Sequence, residues 1–185
     1  LHHEDFTGQD GKFYSSARNQ VWYQQQVVAA EKNARMLGFK KVSALKLAVA
    51  QNLKNFVIGG GFLFTMCSGT DSYDIALAAQ GIDICETVFD YDGSDPNAQS
   101  KLDFNQTFAF KDFHLNKDPM VYEYSDIDAS ELRNNRIISE QTDVFTLFDF
   151  SAKWDVVPTM LTQCHTNIIK GFMGQTTDFR KEFIK

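Results

Sequence analysis

KNFVIGGGFLFTMCSGTDSYDIALAAQG, residues 54–81, is the stretch whose reading decides the fold. Ahead of it, Ser43 to Phe56 places apolar residues at helical spacing, and Tyr73 to Ala79 does the same behind it. Between them Gly61 to Met66 is a short apolar run, bounded by glycines, with the composition of a buried strand. The order is helix, strand, sharp turn, helix, with Cys67 on the turn. A tight strand-to-helix turn that exposes one side chain is the geometry of a nucleophile elbow. The amino terminus of the following helix would supply free N–H groups and a positive partial charge, a setting that favours thiolate over thiol. A buried structural thiol is the ordinary fate of a free cysteine, so the chemistry rests on the neighbours of Cys67. Gly69 meets the elbow's need for a small residue two positions after the nucleophile, and Thr65 on the other side is bulkier. Ser68, Thr70 and Asp71 give a polar helix start, and the backbone N–H groups of Gly60, Gly61 and Ser68 are candidates to hold an oxyanion.

Working outward, the chain opens LHHEDFTGQDGKF, in which His2, His3, Glu4 and Asp5 follow what looks like the end of a strand. In a parallel sheet the carboxyl ends of strands gather on one side, so this cluster is expected to face the same crevice as Cys67 and to bind a ligand there. Ala17 to Leu37 has helical periodicity and stops at Gly38, and a second helix is expected from a Ser43 cap. After the elbow, Ile82 to Phe89, Phe104 to Phe110, Phe113 to Leu115, Val121 to Tyr124 and Val144 to Phe150 have the pattern of strands. Asp126 to Glu140 is polar and irregular, and a short helix is expected near Thr177 to Ile184. Early alternation of helix and strand predicts an α/β fold: three layers around a mainly parallel sheet, with a strand-rich extension, in one domain over residues 1–185.

Composition narrows the function. The 185 residues are 43% hydrophobic and 23% charged, with a net charge of −6, a soluble globular balance. No basic run exists to track phosphates, so no nucleic-acid partner is expected; a small-molecule substrate or ligand is. No stretch is long and apolar enough for a membrane span. Cys67, Cys85 and Cys164 lack the spacing of a zinc site. Asp90, Asp92 and Asp95 sit at alternate positions, but glycine falls fourth instead of sixth, Pro96 intrudes and Lys101 takes the place of a calcium loop's closing glutamate. Phosphate-loop and dinucleotide patterns are absent, so neither a metal nor a cofactor is expected.

Four segments, LHHEDFTGQDGKFY (1–14), FKKVSALKLAVAQNLKNFVIGGGFLFTMCSGTDSYDIALAAQGIDICE (39–86), SKLDFNQTFAF (100–110) and FSAKWDVVPTMLTQCHTNIIKGFMGQTTDFRK (150–181), closely resemble a Bacteroidetes family often labelled asparagine synthetase B. The chain carries neither the amino-terminal cysteine nor the SGGxDS-type loop of a glutamine-dependent asparagine synthetase. Its Cys67 turn resembles instead the class I glutamine amidotransferase-like superfamily, including its trehalose-utilisation-protein-like branch. That resemblance implies a flavodoxin-like sheet, a cysteine nucleophile attacking an amide or related acyl carbon, a downstream histidine as base, and a periplasmic or cell-envelope location. It also implies that the chain is an internal piece of a longer protein, inactive as a glutaminase when prepared alone. His165, 98 positions after Cys67 (165 − 67), is the candidate base. The superfamily's His-x-Glu motif is absent, since His114 is followed by Leu115 and Asn116, and His165 by Thr166 and Asn167. The alternative is a non-catalytic protein on the same scaffold that binds a carbohydrate or small polar ligand, or takes part in an envelope assembly.

Overall fold

The computed structural model describes residues 4–127, 144–146, 168–170 and 180–185. The chain divides into two compact units, one made of Leu1–Ala129 with Thr177–Lys185 and the other of Ser130–Thr176. The first unit contains α1 (Tyr14–Ala17), α2 (Val21–Met36), α3 (Val42–Ile58), α4 (Ser68–Ala78), α5 (Thr87–Asp90) and α6 (Ala98–Lys101), with single 3-10 turns at Asp10–Lys12, Phe104–Gln106 and Lys181–Phe183. In the second unit β1 (Val144–Thr146) pairs antiparallel with β2 (Ile168–Lys170), Phe145 opposite Ile169.

The first unit is organised around α4. Every residue from Asp71 to Ala79 is buried, Ile75 and Leu77 completely. A helix buried on all sides needs neighbours on all sides, and here α3, the amino-terminal segment and the 104–127 region supply them. One side of α4 packs Tyr73, Ala76 and Leu77 against Phe6 and Ala50. The other packs Ile75, Ala78 and Ala79 against Ile84, Phe110 and Phe113. Each fully buried Ile or Leu contributes about 1.5–3 kcal/mol relative to exposure. Phe6 meets Tyr73 edge to face at 5.2 Å, and the Tyr73 hydroxyl donates to the Ala50 carbonyl at 3.2 Å, tying α4 to α3.

The polar members of α4 are matched to partners. Asp74, 1% exposed, accepts the N–H groups of Phe108, Ala109 and Phe110 at 2.9, 2.7 and 2.9 Å. Burial raises its pKa above the ordinary carboxylate value, and these three donors pull the other way. One helix side chain thereby fixes a loop whose other edge pairs antiparallel with the carboxyl-terminal residues, Lys111 N–H donating to Phe183 and Lys185 N–H to Ala109 at 2.8 Å each.

This arrangement corrects the expected fold. Among the described residues the strands are β1 and β2, an antiparallel pair, and no parallel, flavodoxin-like sheet is present. Gly61 to Met66 does alternate in exposure as an extended chain would, with Leu63 packed on the Tyr73–Leu77 cluster. Its other face is open: Phe62 is 86% exposed, Phe64 61% and Met66 40%. A central strand needs pairing on both edges and cover on both faces; here α4 occupies the middle of the core and this run lies over it. Ile82 to Phe89 runs without strand pairing into α5, and Phe104 to Phe110 begins as a 3-10 turn instead of a strand. Extended segments do meet at Leu115 and Ser125, where Asn116 N–H donates to Tyr124 at 2.8 Å and Asp126 N–H to His114 at 3.1 Å.

Candidate functional site

Cys67 is the N-cap of α4, with φ 53° and ψ −139°. An L-residue with positive φ and extended ψ crowds its Cβ against the backbone, and such positions cost about 1–3 kcal/mol each. Cysteine offers no side-chain cap hydrogen bond here. The helix begins all the same because Gly69 N–H donates to Met66 at 3.2 Å and Thr70 N–H to Cys67 at 2.9 Å. The N–H of Ser68, the residue after the thiol, has no hydrogen-bond partner among the described residues. Cys67 is half-buried and free.

The segment carrying Glu4 runs along the first turn of α4. Ser72 Oγ donates to the Glu4 carbonyl at 3.0 Å and accepts Phe6 N–H at 3.4 Å. A Cβ on Gly69 would lie 3.7 Å from Glu4 N, so the two backbones approach closely there. Glu4 and the Cys67 turn are thus neighbours, while His2, His3 and His165 lie outside the described residues. Gly60 and Gly61 serve a different end. Gly60, at φ +95°, donates its N–H to Val57 at 2.9 Å, and Gly61 donates to Phe56 at 2.9 Å, so both amides terminate α3. Of the three proposed oxyanion donors, Ser68 is the one whose amide has no partner among the described residues. His114 is exposed and tied to Asp126, with Nδ1 3.0 Å from Oδ2.

Asp5 turns inward. Its Oδ1 accepts Thr7 N–H and Thr7 Oγ1 at 2.7 Å each, and its Oδ2 accepts Gly11 N–H at 3.1 Å. The loop it holds, Phe6 to Lys12, has positive φ at Gly8, Asp10, Gly11 and Lys12. A Cβ at Gly8 would stand 2.6 Å from Ser43 Cα, so only glycine fits. The loop buries Lys12 completely, its ammonium donating to the carbonyls of Asn116 and Asp118 at 3.1 and 2.9 Å. Burial lowers the Lys12 pKa to about 8.

Asp10 shares a cleft of about 310 Å³ with Glu4, Asp5, Gln26, Asn33 and Lys46, between the loop and helices α2 and α3. Burial first, then the charges of Asp5 and Glu31, raise its carboxyl to about 7. Lys46 forms an ion pair with Glu4, and the Tyr23 hydroxyl hydrogen-bonds Asp10. A titratable carboxyl in a polar cleft is a candidate for proton transfer or ligand binding. Sequence reasoning missed Asp10 and Lys46; the glycines on both sides of Gln9–Asp10 were the available signal of a constrained backbone.

Two further groups complete the chemistry. Ligand atoms of Asp83, Cys85 and Asp90 come within 4.8 Å of one another, a spacing that could hold a cation. The ammonium of Lys41 occupies this neighbourhood, 2.5 Å from Asp83, 2.6 Å from Asp92 and 3.1 Å from Asp90. Cys85 is fully buried, donates from Sγ to the Thr7 carbonyl at 3.4 Å, and is pushed well up in pKa, chiefly by burial. It is a structural thiol where Cys67 is an accessible one. No helix among the described residues is long and apolar enough to cross a membrane. No family model, curated protein or solved structure matches the chain.

Proposed function

We propose that the protein is a hydrolase in which Cys67 attacks the carbonyl carbon of an amide or related acyl substrate, the activity implied by the resemblance to the glutamine amidotransferase-like superfamily. The observation that carries the proposal is the backbone of Cys67. A cysteine held at φ 53° as the N-cap of an 11-residue helix stores strain that no capping bond of its own repays. Strain of this kind gathers where a side chain must be presented, and Ser68 N–H, which has no partner among the described residues, follows the thiol in sequence as the proposed oxyanion donor.

In the proposed reaction, Sγ loses its proton to a base and bonds to the acyl carbon, and the carbonyl π electrons move to oxygen, facing Ser68 N–H. As the tetrahedral species collapses, the C–N bond breaks and the amine leaves with the proton from the base. Water then adds to the thioester, releasing the carboxylic acid and restoring the thiol. His165 is the base proposed from sequence, with His2 and His3 as alternatives.

A second proposal has its own support. The Asp10 cleft, lined by carboxylates, amides and Lys46, suits a carbohydrate or small polar ligand held without covalent chemistry. One experiment separates the two. p-Nitrophenyl acetate needs no proton donated to its leaving group, so it tests the nucleophile apart from the base. The hydrolase proposal expects acetate release by the protein that falls to the solution rate in Cys67→Ala and persists in Cys85→Ala. Equal rates in wild type and Cys67→Ala leave the binding proposal.

A further inference from the structure

Asp83, Cys85 and Asp90 come from one short stretch, DICETVFD, whose last four residues form α5. Their ligand atoms, a carboxylate oxygen from each aspartate and the Cys85 sulfur, lie within 4.8 Å of one another. Asp83 is served by donors: Oδ1 accepts Cys85 N–H at 3.0 Å and Oδ2 accepts the Lys41 ammonium at 2.5 Å. The Asp90 side chain is 5% exposed, and both its oxygens are buried without a hydrogen bond among the described residues. Lys41 Nζ reaches 3.1 Å from Asp90 Oδ2 as an ion pair, while its hydrogen bonds go to Asp83 and to Asp92 Oδ1, 2.6 Å away. The Asp92 carboxyl also faces Asp90, and two carboxyls bond to each other only while one keeps a proton. A buried carboxylate in this state is strongly disfavoured unless a cation meets it.

The charge in this cluster leaves room for a further cation. Asp83, Asp90 and Asp92 bring three negative charges to the Lys41 ammonium. Lys41 is the N-cap of α3 and carries its charge on a flexible four-carbon stem, so it can retire to Asp92 at the exposed rim while the backbone stays in place. An ammonium accounts for the carboxylates but not for the thiol. Cys85 Sγ, fully buried, stands among the ligand atoms and donates to the Thr7 carbonyl at 3.4 Å. Calcium and magnesium take oxygen ligands, whereas a thiolate beside carboxylates suits zinc and other thiophilic divalent ions. Three atoms within 4.8 Å of one another share a point within about 2.8 Å of each, so zinc bonds of about 2.0–2.3 Å need a contraction of about half an ångström.

We propose that Asp83, Cys85 and Asp90 form a binding site for a thiophilic divalent cation of the zinc class, and that Lys41 is the counter-ion the metal displaces. On binding, the Cys85 S–H bond breaks, its proton leaves to solvent, and the sulfur lone pair forms the bond to the metal with no change of oxidation state. The site uses neither Cys67 nor the Asp10 cleft.

The probe is cobalt(II), whose bond to a thiolate gives a near-ultraviolet charge-transfer band that carboxylates do not give. Titrated into the full chain under a phosphine reductant, cobalt should bind with that band, and zinc should displace it where calcium and magnesium in excess do not. The band should persist in Cys67→Ser and in Cys164→Ser and vanish in Cys85→Ser. Asp90→Asn keeps the shape and loses the charge, so cobalt affinity should fall about tenfold or more. Lys41→Met keeps the apolar stem and removes the competing ammonium, so affinity should rise. Far-UV circular dichroism checks the fold of each variant, and zinc should raise the melting temperature of wild type but not of Asp90→Asn. A cobalt titration without the band, or a band that survives Cys85→Ser or keeps its full affinity in Asp90→Asn, overturns the site. Displacement of cobalt by calcium overturns the thiophilic class, and weaker binding by Lys41→Met overturns its role as the displaced counter-ion.

Discussion

Replacing Cys67 by glycine should stabilise the protein relative to replacing it by alanine, the reverse of the ordinary order. At an unstrained position glycine is less stable than alanine by about 0.5–1 kcal/mol, because the unfolded chain gains freedom. At φ 53°, ψ −139°, alanine keeps the Cβ that crowds the backbone, and glycine removes it. Relief is about 1–3 kcal/mol, so after the entropic term Cys67→Gly should exceed Cys67→Ala by about 1 kcal/mol. Both variants lose the same half-buried thiol, so the comparison cancels side-chain burial. The assay is urea unfolding under reducing conditions, followed by far-UV circular dichroism, with matched m-values required before midpoints are compared. Should Cys67→Ala prove the more stable by about 0.5 kcal/mol or more, Cys67 has ordinary backbone geometry and the strain invoked for its function does not exist.

Asp74→Ala should lower stability by about 3 kcal/mol, because the amides of residues 108–110 lose a charge-assisted acceptor, and hydrogen–deuterium exchange should accelerate at those three amides first. Stability should also fall as pH rises from 3.8 to about 7 through Asp10. Its folded carboxyl titrates near 7 against an ordinary 3.8, so the folded state holds the extra proton over this window, and that advantage is lost as pH rises through 7. In Asp10→Asn the fall should shrink by about 2 kcal/mol, and melting curves at pH 5 and pH 8 that shift in parallel with wild type would show that Asp10 is not buried among like charges.

The helices were legible because their signals are local. Periodicity placed α2, α3 and α4 within a few residues, and Gly59 to Gly61 marked the end of α3 as well as the start of the following run. The polar start after Cys67 located α4 directly. The sheet was misjudged at Gly61 to Met66, where an apolar run is compatible with a buried strand or with an extended segment lying over a helix. What decides between them is whether α4 needs sheet cover. With Ser72 to Ala79 buried on every side, its partners are α3 and irregular loops whose hydrogen bonds go to side chains such as Asp74. A carboxylate that holds three loop amides leaves little trace in local pattern. At the site, Cys67 and Glu4 were singled out, and the structure brings their segments together. Asp5 proved to be a loop-holding carboxylate, since its partners Thr7 and Gly11 lie two and six residues on and depend on four positive φ angles that composition alone does not fix. Asp10 escaped notice because its perturbation comes from burial against α2 and α3, a tertiary effect.

The most direct test of the central claim is capture of the covalent intermediate. Protein mixed with p-nitrophenyl acetate, quenched in acid within one turnover and digested, should yield the peptide carrying Cys67 acetylated through a hydroxylamine-labile thioester, with Cys85 unmodified. Acetylation that falls only on lysines or on Cys164, with Cys67 recovered as free thiol, would contradict the account.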